Sequence, residues 1–237
     1  SSPVTVLGLT NGTSYTFNVW AINPFGYSAP SDASGRVSPS IQRALFGGGT
    51  SSSSGGNSNA IEFVNIPTTG NATDFGDLTV ARYYFGSGGS STRAIWGGGY
   101  PGSSPYSNTI YYVTIASAGN ATDFGNLSYS PYGNTGTSNS TRCLFAGGSP
   151  DGGTSLLSTI NYVTIASTGN ATSFGSLSQS RMQLAACSSS TRGIFAGGGL
   201  AGSSPSNVID YVTIGTTGTA TDFGDLTVAV RTGPAAC

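Results

Sequence analysis

Thr92-Arg93-Ala94-Ile95-Trp96-Gly97-Gly98-Gly99, then after a loop Asn108-Thr109-Ile110-Tyr111-Tyr112-Val113-Thr114-Ile115, then Ala121-Thr122-Asp123-Phe124-Gly125-Asn126-Leu127, is one copy of a unit written four times. The Arg that opens each copy stands at Arg43, Arg93, Arg142 and Arg192. The Phe-Gly pair that nearly ends it starts at Phe75, Phe124, Phe174 and Phe223. A period of 49 or 50 residues held this regularly means one supersecondary unit stacked on copies of itself. The repeat also serves as an internal alignment, separating positions the copies keep from positions they let drift.

Within a unit, four strand-like pieces follow one another. The first is rich in small residues, as in Phe85-Gly86-Ser87-Gly88-Gly89. A tight Ser-Thr-Arg turn leads to a short apolar strand ending in glycines. A variable loop of about eight to twelve residues follows, a length at which loops are often functional. Next come a longer β-branched and aromatic strand, a Gly-Asn-Ala-Thr turn and the Asp-Phe-Gly piece. Glycine and β-branched residues disfavour helix throughout, and no window keeps a helical period.

Composition narrows the function classes. The 237 residues carry a net charge of −1, with eight basic residues, all Arg, and no His. Without a basic patch, no nucleic-acid partner is expected. No run of eighteen apolar residues is present, so no membrane insertion by a helix is expected. So weakly charged a surface suits a subunit of a larger, oligomeric assembly. Cys143, Cys187 and Cys237 are odd in number and form no CxxC pair, so they are read as small buried residues.

Four strands per unit of about fifty residues is the pattern of a β-propeller blade. At the phase where innermost strands would crowd the axis, the copies carry Gly88, Thr137, Cys187 and Cys237, all small. The unit resembles a kelch blade, with a short strand ending in Gly-Gly, an aromatic third strand and a lone aromatic; Phe takes the place of the family's usual Trp. The expected class is all-β: a kelch-like β-propeller over residues 40–237, with four blades starting near Arg43, Arg93, Arg142 and Arg192, alone or as part of a larger ring. Two arrangements of the ends stand open: residues 227–237 close the ring against residues 41–78, or further blades follow.

Residues 1–39 differ. Two alternating apolar runs, Val4–Leu9 and Ser14–Ala21, flank an Asn11-Gly12 turn and read as paired strands. The stretch GLTNGTSYTFNVWAINPFGYSAPS resembles the second half of a fibronectin type III module, with Tyr15 at the family's tyrosine-corner position. The resemblance implies a partial β-sandwich, and half a sandwich cannot bury its inner face alone.

Several residues suggest chemistry. The four repeated Arg could ring an anion, or each could hydrogen-bond backbone near its turn. Asp74, Asp77, Asp222 and Asp225 look like calcium ligands, but the copies substitute Asn126, Ser173 and Ser176, as a turn-capping role tolerates. The sequons at Asn11, Asn71, Asn120, Asn126, Asn139 and Asn170 read as turns, several with Asn suited to positive φ. No metal or cofactor is expected. The loops are the best candidates, since rigid scaffolds carry recognition on them. Tyr100, Tyr106 and nearby Trp96 could stack on a sugar ring, with Asn108 and, in the later loops, Asp151, Ser203 and Asn207 supplying polar contacts. Without His, a Ser-His or Cys-His nucleophile is impossible, and no carboxylate pair recurs.

Fibronectin-like sequence followed by low-charge Gly/Ser/Thr-rich repeats resembles bacteriophage tail and fibre proteins. That resemblance implies a non-enzymatic structural and adhesion protein of an extracellular virion, binding other virion subunits or a host glycan. The alternative is a secreted or bacterial cell-surface adhesin or carbohydrate-binding module.

Overall fold

A computed structural model describes residues 6–9, 13–37, 42–51, 56–103, 105–232 and 236. The described residues are all-β apart from a 3₁₀ turn at Ala201–Ser203, and the chain divides into two units, Ser1–Gln42 and Arg43–Cys237.

The first unit is a long hairpin. Its strands β1 (Ile22–Asn23) and β2 (Gly26–Tyr27) pair around Asn23, whose side chain accepts the Phe25 N–H. Away from the turn, Ser28, Ser31 and Ser34 recur every third residue, and their hydroxyls accept the N–H groups of Ala21, Val19 and Phe17. Residues 15–21 therefore pair with 28–37, not with residues 6–9, which form no strand; the Asn11-Gly12 turn lies outside the described residues. Val19, Trp20, Ile22, Phe25 and Tyr27 are exposed, so this hairpin has no core of its own.

The second unit opens with β3 (Arg43–Gly47), a small hairpin of β4 (Thr50–Ser51) and β5 (Gly56–Asn57), then β6 (Ala60–Asn65) and β7 (Thr73–Asp77). The second repeat supplies β8 (Gly86–Gly89), β9 (Arg93–Gly97), β10 (Thr109–Thr114) and β11 (Thr122–Asn126). The third supplies β12 (Thr135–Ser138), β13 (Arg142–Ala146), β14 (Thr159–Thr164) and β15 (Thr172–Ser176). The fourth supplies β16 (Ala185–Ser188), β17 (Arg192–Ala196), β18 (Ser206–Thr213) and β19 (Thr221–Val230). Repeats two to four are antiparallel four-stranded meanders; the first is three-stranded, β3-β6-β7.

The fourth strand of each repeat carries a bulge. Opposite β10 the register skips Phe124, and the Asp123 carboxylate accepts the Gly125 N–H. Asp222 does the same for Gly224. These Asp are thus turn caps, and in the first three repeats the skipped Phe (Phe75, Phe124, Phe174) points into the core, whereas Phe223 is exposed.

Successive sheets are joined at three levels. The first strands meet backbone to backbone. A Cβ on Gly86 would sit 2.8 Å from the Thr135 carbonyl oxygen, and one on Gly136 would collide with the Ser87 backbone. The middle strands meet through rings: Trp96 lies on Gly47 and Phe145 on Gly97. Trp96 is only 4% exposed, so it is a core residue and offers no face to a sugar. At the fourth strand the Gly-Asn-Ala-Thr turn reaches back to the preceding repeat. Gly119 and Ala121 donate to the Phe75 and Asp77 carbonyls, both at 2.7 Å, and the Asn120 side chain accepts the Asp77 N–H at 3.0 Å. The same bonds join Gly169, Ala171 and Asn170 to Phe124 and Asn126. Asn120 and Asn170 serve by this side-chain bond, not by a positive φ.

The repeated Arg clamps two repeats. Each lies 4.4–4.7 Å above the third-strand ring of its own repeat, at Phe63, Tyr112, Tyr162 and Tyr211. Arg43, Arg93 and Arg142 each also donate to a carbonyl of the next repeat, at Ile115, Ile165 and Ile214. They form no anion-binding ring.

Residues 227–230 do not add to the first sheet. They continue β19, and the Val230 carbonyl accepts the Gly198 N–H just as Arg82, Pro131 and Arg181 accept those of Gly49, Gly99 and Gly148. Of the residues after Thr232, only Ala236 is described. Cys143 is buried, which pushes its thiol pKa up, and Cys187 is half-buried; Cys237 lies outside the described residues.

Replacing Gly136 with Ala should cost about 1–3 kcal/mol, because its Cβ would meet main chain that cannot yield. Gly215→Ala, where a Cβ would meet nothing within 4 Å, should be nearly neutral; chemical denaturation of both variants checks the difference.

Candidate functional site

The segment that crosses from one sheet to the next makes a two-bond bridge with the start of the next repeat's variable loop. Tyr83 pairs in this way with Tyr100, Tyr132 with Ser149, and Met182 with Gly199. One bridge therefore brings two tyrosines together, and their rings lie 5.4 Å apart. Around them gather Tyr84, Tyr106 and Tyr132, so that five phenol rings form one continuous cluster with centroid separations of 4.8–6.2 Å. The Tyr106 hydroxyl rests against Gly152, in the loop of the third repeat. A side chain there would push the ring away.

The crossing segment is anchored from beneath by Arg82. Its guanidinium is buried, donates to the Gly98 carbonyl at 2.8 Å and to the Tyr111 hydroxyl at 3.0 Å, and lies over the Tyr111 ring. Burial pulls its pKa down, opposed by Tyr111. The anchor at the corresponding place of the fourth repeat is Arg181, which meets Asp210 in a fully buried ion pair at 2.6 Å. In the third repeat Pro131 takes that place, and Asn161 instead accepts the Ser128 N–H and hydroxyl.

Backbone strain sits beside the rings. Tyr84 has φ +57° and Gln183 φ +55°, while the third copy has Gly133 at φ +70°. A left-handed backbone costs a residue with a Cβ about 1 kcal/mol or more, and such strain gathers at functional places. Tyr84 keeps this conformation while 48% exposed, its ring held between Tyr83 and Tyr132.

Two depressions flank the cluster. One, of about 460 Å³, is lined by Tyr84, Phe85, Asn134, Thr135, Gln183 and Leu184. The Asn134 amide donates to the Gly97 carbonyl, and its buried Oδ1 has no partner among the described residues. The other, open and about 690 Å³, is lined by Asn57, Tyr83, Tyr100, Pro101, Gly102 and Ser103.

Of the residues singled out from sequence, Tyr100 and Tyr106 lie in the cluster, 5.1 Å apart. Trp96 is buried beneath the first sheet's Gly47. The Asn108 amide donates to the Leu127 carbonyl at 3.4 Å. Asp151 Oδ1 accepts from the Ser155 N–H and the Ser149 hydroxyl, which holds its pKa down to about 2, so it caps its own loop. Ser203 ends the 3₁₀ turn with φ +68°, and Asn207 lies in β18; neither has a hydrogen bond or ring contact to the cluster among the described residues. Tyr83, Tyr84 and Tyr132 escaped the sequence analysis because the crossing segment reads as the start of a small-residue strand. Their signal was phase: Tyr83 and Tyr132 are one period apart.

No family model matches the chain, and no curated protein matches it by sequence.

Burial first, then the neighbouring phenols, raises the pKa of Tyr83 and Tyr132 above the ordinary 10.0. A raised phenol stabilises the cluster fully below pH 10 and loses that contribution as pH climbs through the raised value. Near-ultraviolet titration should show these two ionising late, and Tyr84→Ala should bring Tyr132 back toward the ordinary value. An unchanged late phase would mean that the rings do not share their surroundings.

Proposed function

We propose that this chain is a non-enzymatic structural and adhesion protein of a bacteriophage particle, a tail or fibre component whose repeats are kelch-like propeller blades. The tyrosine cluster is its recognition surface, and the ligand is a host-surface glycan. The observation that carries the reading is the five-ring cluster, Tyr83, Tyr84, Tyr100 and Tyr106 of the second repeat with Tyr132 of the third, at a strained, partly exposed place. Aromatic rings give large, stiff contact area at low entropy cost, which is why they dominate recognition surfaces. Sugars present flat C–H faces to such rings and hydroxyls to flanking amides. Asn57 and Asn134 line the two depressions.

The blade assignment is supported by how the sheets approach. Main chain meets main chain at the first strands, rings intervene at the middle strands, and only a turn bridges the fourth. Sheets nearest at one edge suit a fan around an axis. A non-enzymatic role is supported by where the charged groups are spent: Arg82, Arg181 and Asp210 are buried structural anchors, and Asp151 caps a loop. A bacterial surface adhesin or carbohydrate-binding module would use the same cluster.

Calorimetric titration of the full chain with polysaccharides of the host envelope tests the glycan. Tyr106→Ala should weaken binding about two- to tenfold, given about 0.5–1.5 kcal/mol per aromatic contact, with only a modest loss of thermal stability from its contacts with Tyr100 and Tyr132. Failure of the folded protein to bind any envelope polysaccharide at millimolar sugar removes the glycan. Recovery with cell envelopes instead of virus particles selects the adhesin.

A further inference from the structure

The three internal junctions between repeats are built from the same parts. On the trailing side of each stands the bulged Phe, at Phe75, Phe124 and Phe174, all buried. On the leading side of the next repeat stand a Val, an Ile and an Ala: Val113, Ile115 and Ala121, then Val163, Ile165 and Ala171, then Val212, Ile214 and Ala220. Each Phe shares an apolar cluster with the Val that faces it, joined at the second and third junctions by Ile165 and Ile214. An Arg from the trailing side donates to the leading Ile carbonyl, and the leading turn donates to the trailing fourth strand.

The same parts are present, and unused, at both ends of the stack. The first repeat keeps Val64, Ile66 and Ala72 at the matching places, yet Ile66 is 63% exposed; in the paired strand β3, Phe46, the counterpart of buried Trp96, Phe145 and Phe195, is 57% exposed. The fourth repeat keeps Phe223, 54% exposed. Arg192 still lies over Tyr211 but, alone of the four, donates to no carbonyl among the described residues. Its would-be partner is the counterpart of the Ile66 carbonyl.

We propose that the leading face of the first repeat takes the trailing face of the fourth repeat of a second copy of this chain. The two faces are complementary because the chain already contains that junction three times over. Phe223 of one copy would cover Val64, Ile66 and Ala72 of the other, and Arg192 would reach the Ile66 carbonyl. Charge agrees. Glu62 is exposed, whereas its counterparts Tyr111, Asn161 and Asp210 are buried beneath the crossing segment of the preceding repeat. That segment supplies Arg82 and Arg181 at two junctions, and after β19 the fourth repeat carries the exposed Arg231, one residue past the same place. Such a head-to-tail contact is heterologous: it builds a closed ring or a filament according to the rotation at each step. The inference does not depend on the tyrosine cluster.

Sedimentation of the full chain over a range of concentrations tests it. Wild-type mass should rise with concentration. Phe46→Asp spoils only the leading face and Phe223→Asp only the trailing face, so each variant alone should stay monomeric. Mixed, they retain one good junction between them and should form a one-to-one dimer and nothing larger. Wild-type monomer at every concentration, self-association of either variant, or no dimer on mixing would each overturn the proposal. Both positions are exposed, so their thermal midpoints should match the wild type. Ile66→Asp and Arg192→Glu, on the same two faces, replace any variant that does not fold.

Discussion

The guanidinium of each repeated Arg lies on an aromatic ring of its own sheet, at the three internal junctions it also donates to a carbonyl of the next sheet, and the rest of the stack depends on that double contact. A single repeat is a small sheet with two apolar faces. Nothing in so short a meander can cover them, and a lone repeat of this size could not hold itself folded. The Arg fixes the height at which the following sheet must lie, which brings the Phe over Val, Ile and Ala and sets the Gly-Asn-Ala-Thr turn against the preceding fourth strand. Hydrogen bonds, apolar burial and a cation over a ring all require one register. Buried polar groups that find partners in only one arrangement specify that arrangement.

Uniform junctions leave freedom elsewhere. The crossing segments carry none of the Phe, Val and Ile of those junctions, and there the copies differ most. Arg82 with Tyr111, Arg181 with Asp210, and Pro131 over an Asn161 that accepts instead from Ser128, are three chemical solutions at one place of the repeat. The changes come in pairs, because a buried cation left without its partner costs several kcal/mol. Above them, the second repeat pairs two tyrosines, Tyr83 and Tyr100, where the next two copies pair Tyr132 with Ser149 and Met182 with Gly199. The recognition surface proposed for this chain is thus a local departure from the repeat, resting on parts that the repeat holds constant.

Much of the fold was legible in the chain. The Gly86–Gly89, Arg93–Gly97, Thr109–Thr114 and Thr122–Asn126 strands follow from small-residue runs, glycine stops and β-branched alternation. The site was legible only in part. Tyr100 and Tyr106 stood out because they flank a loop. Trp96 misled because a large ring beside a loop looks available, while its burial depends on Gly47, a whole repeat away. Asp151 misled similarly, because its carboxylate is consumed by Ser149 and Ser155 within its own turn.

The sequence by itself determined the period, the four-piece unit and the places where side chains must be small, since each depends on local backbone preference repeated at a fixed interval. Only the tertiary structure decided what lies across a junction. A hydrogen bond from Arg93 to Ile165 spans 72 residues, and the pairing of Tyr83 with Tyr100 is made by main chain. Contacts of that kind leave no local pattern, because any residue can offer a carbonyl and any ring can be covered or bare according to what the next sheet brings against it.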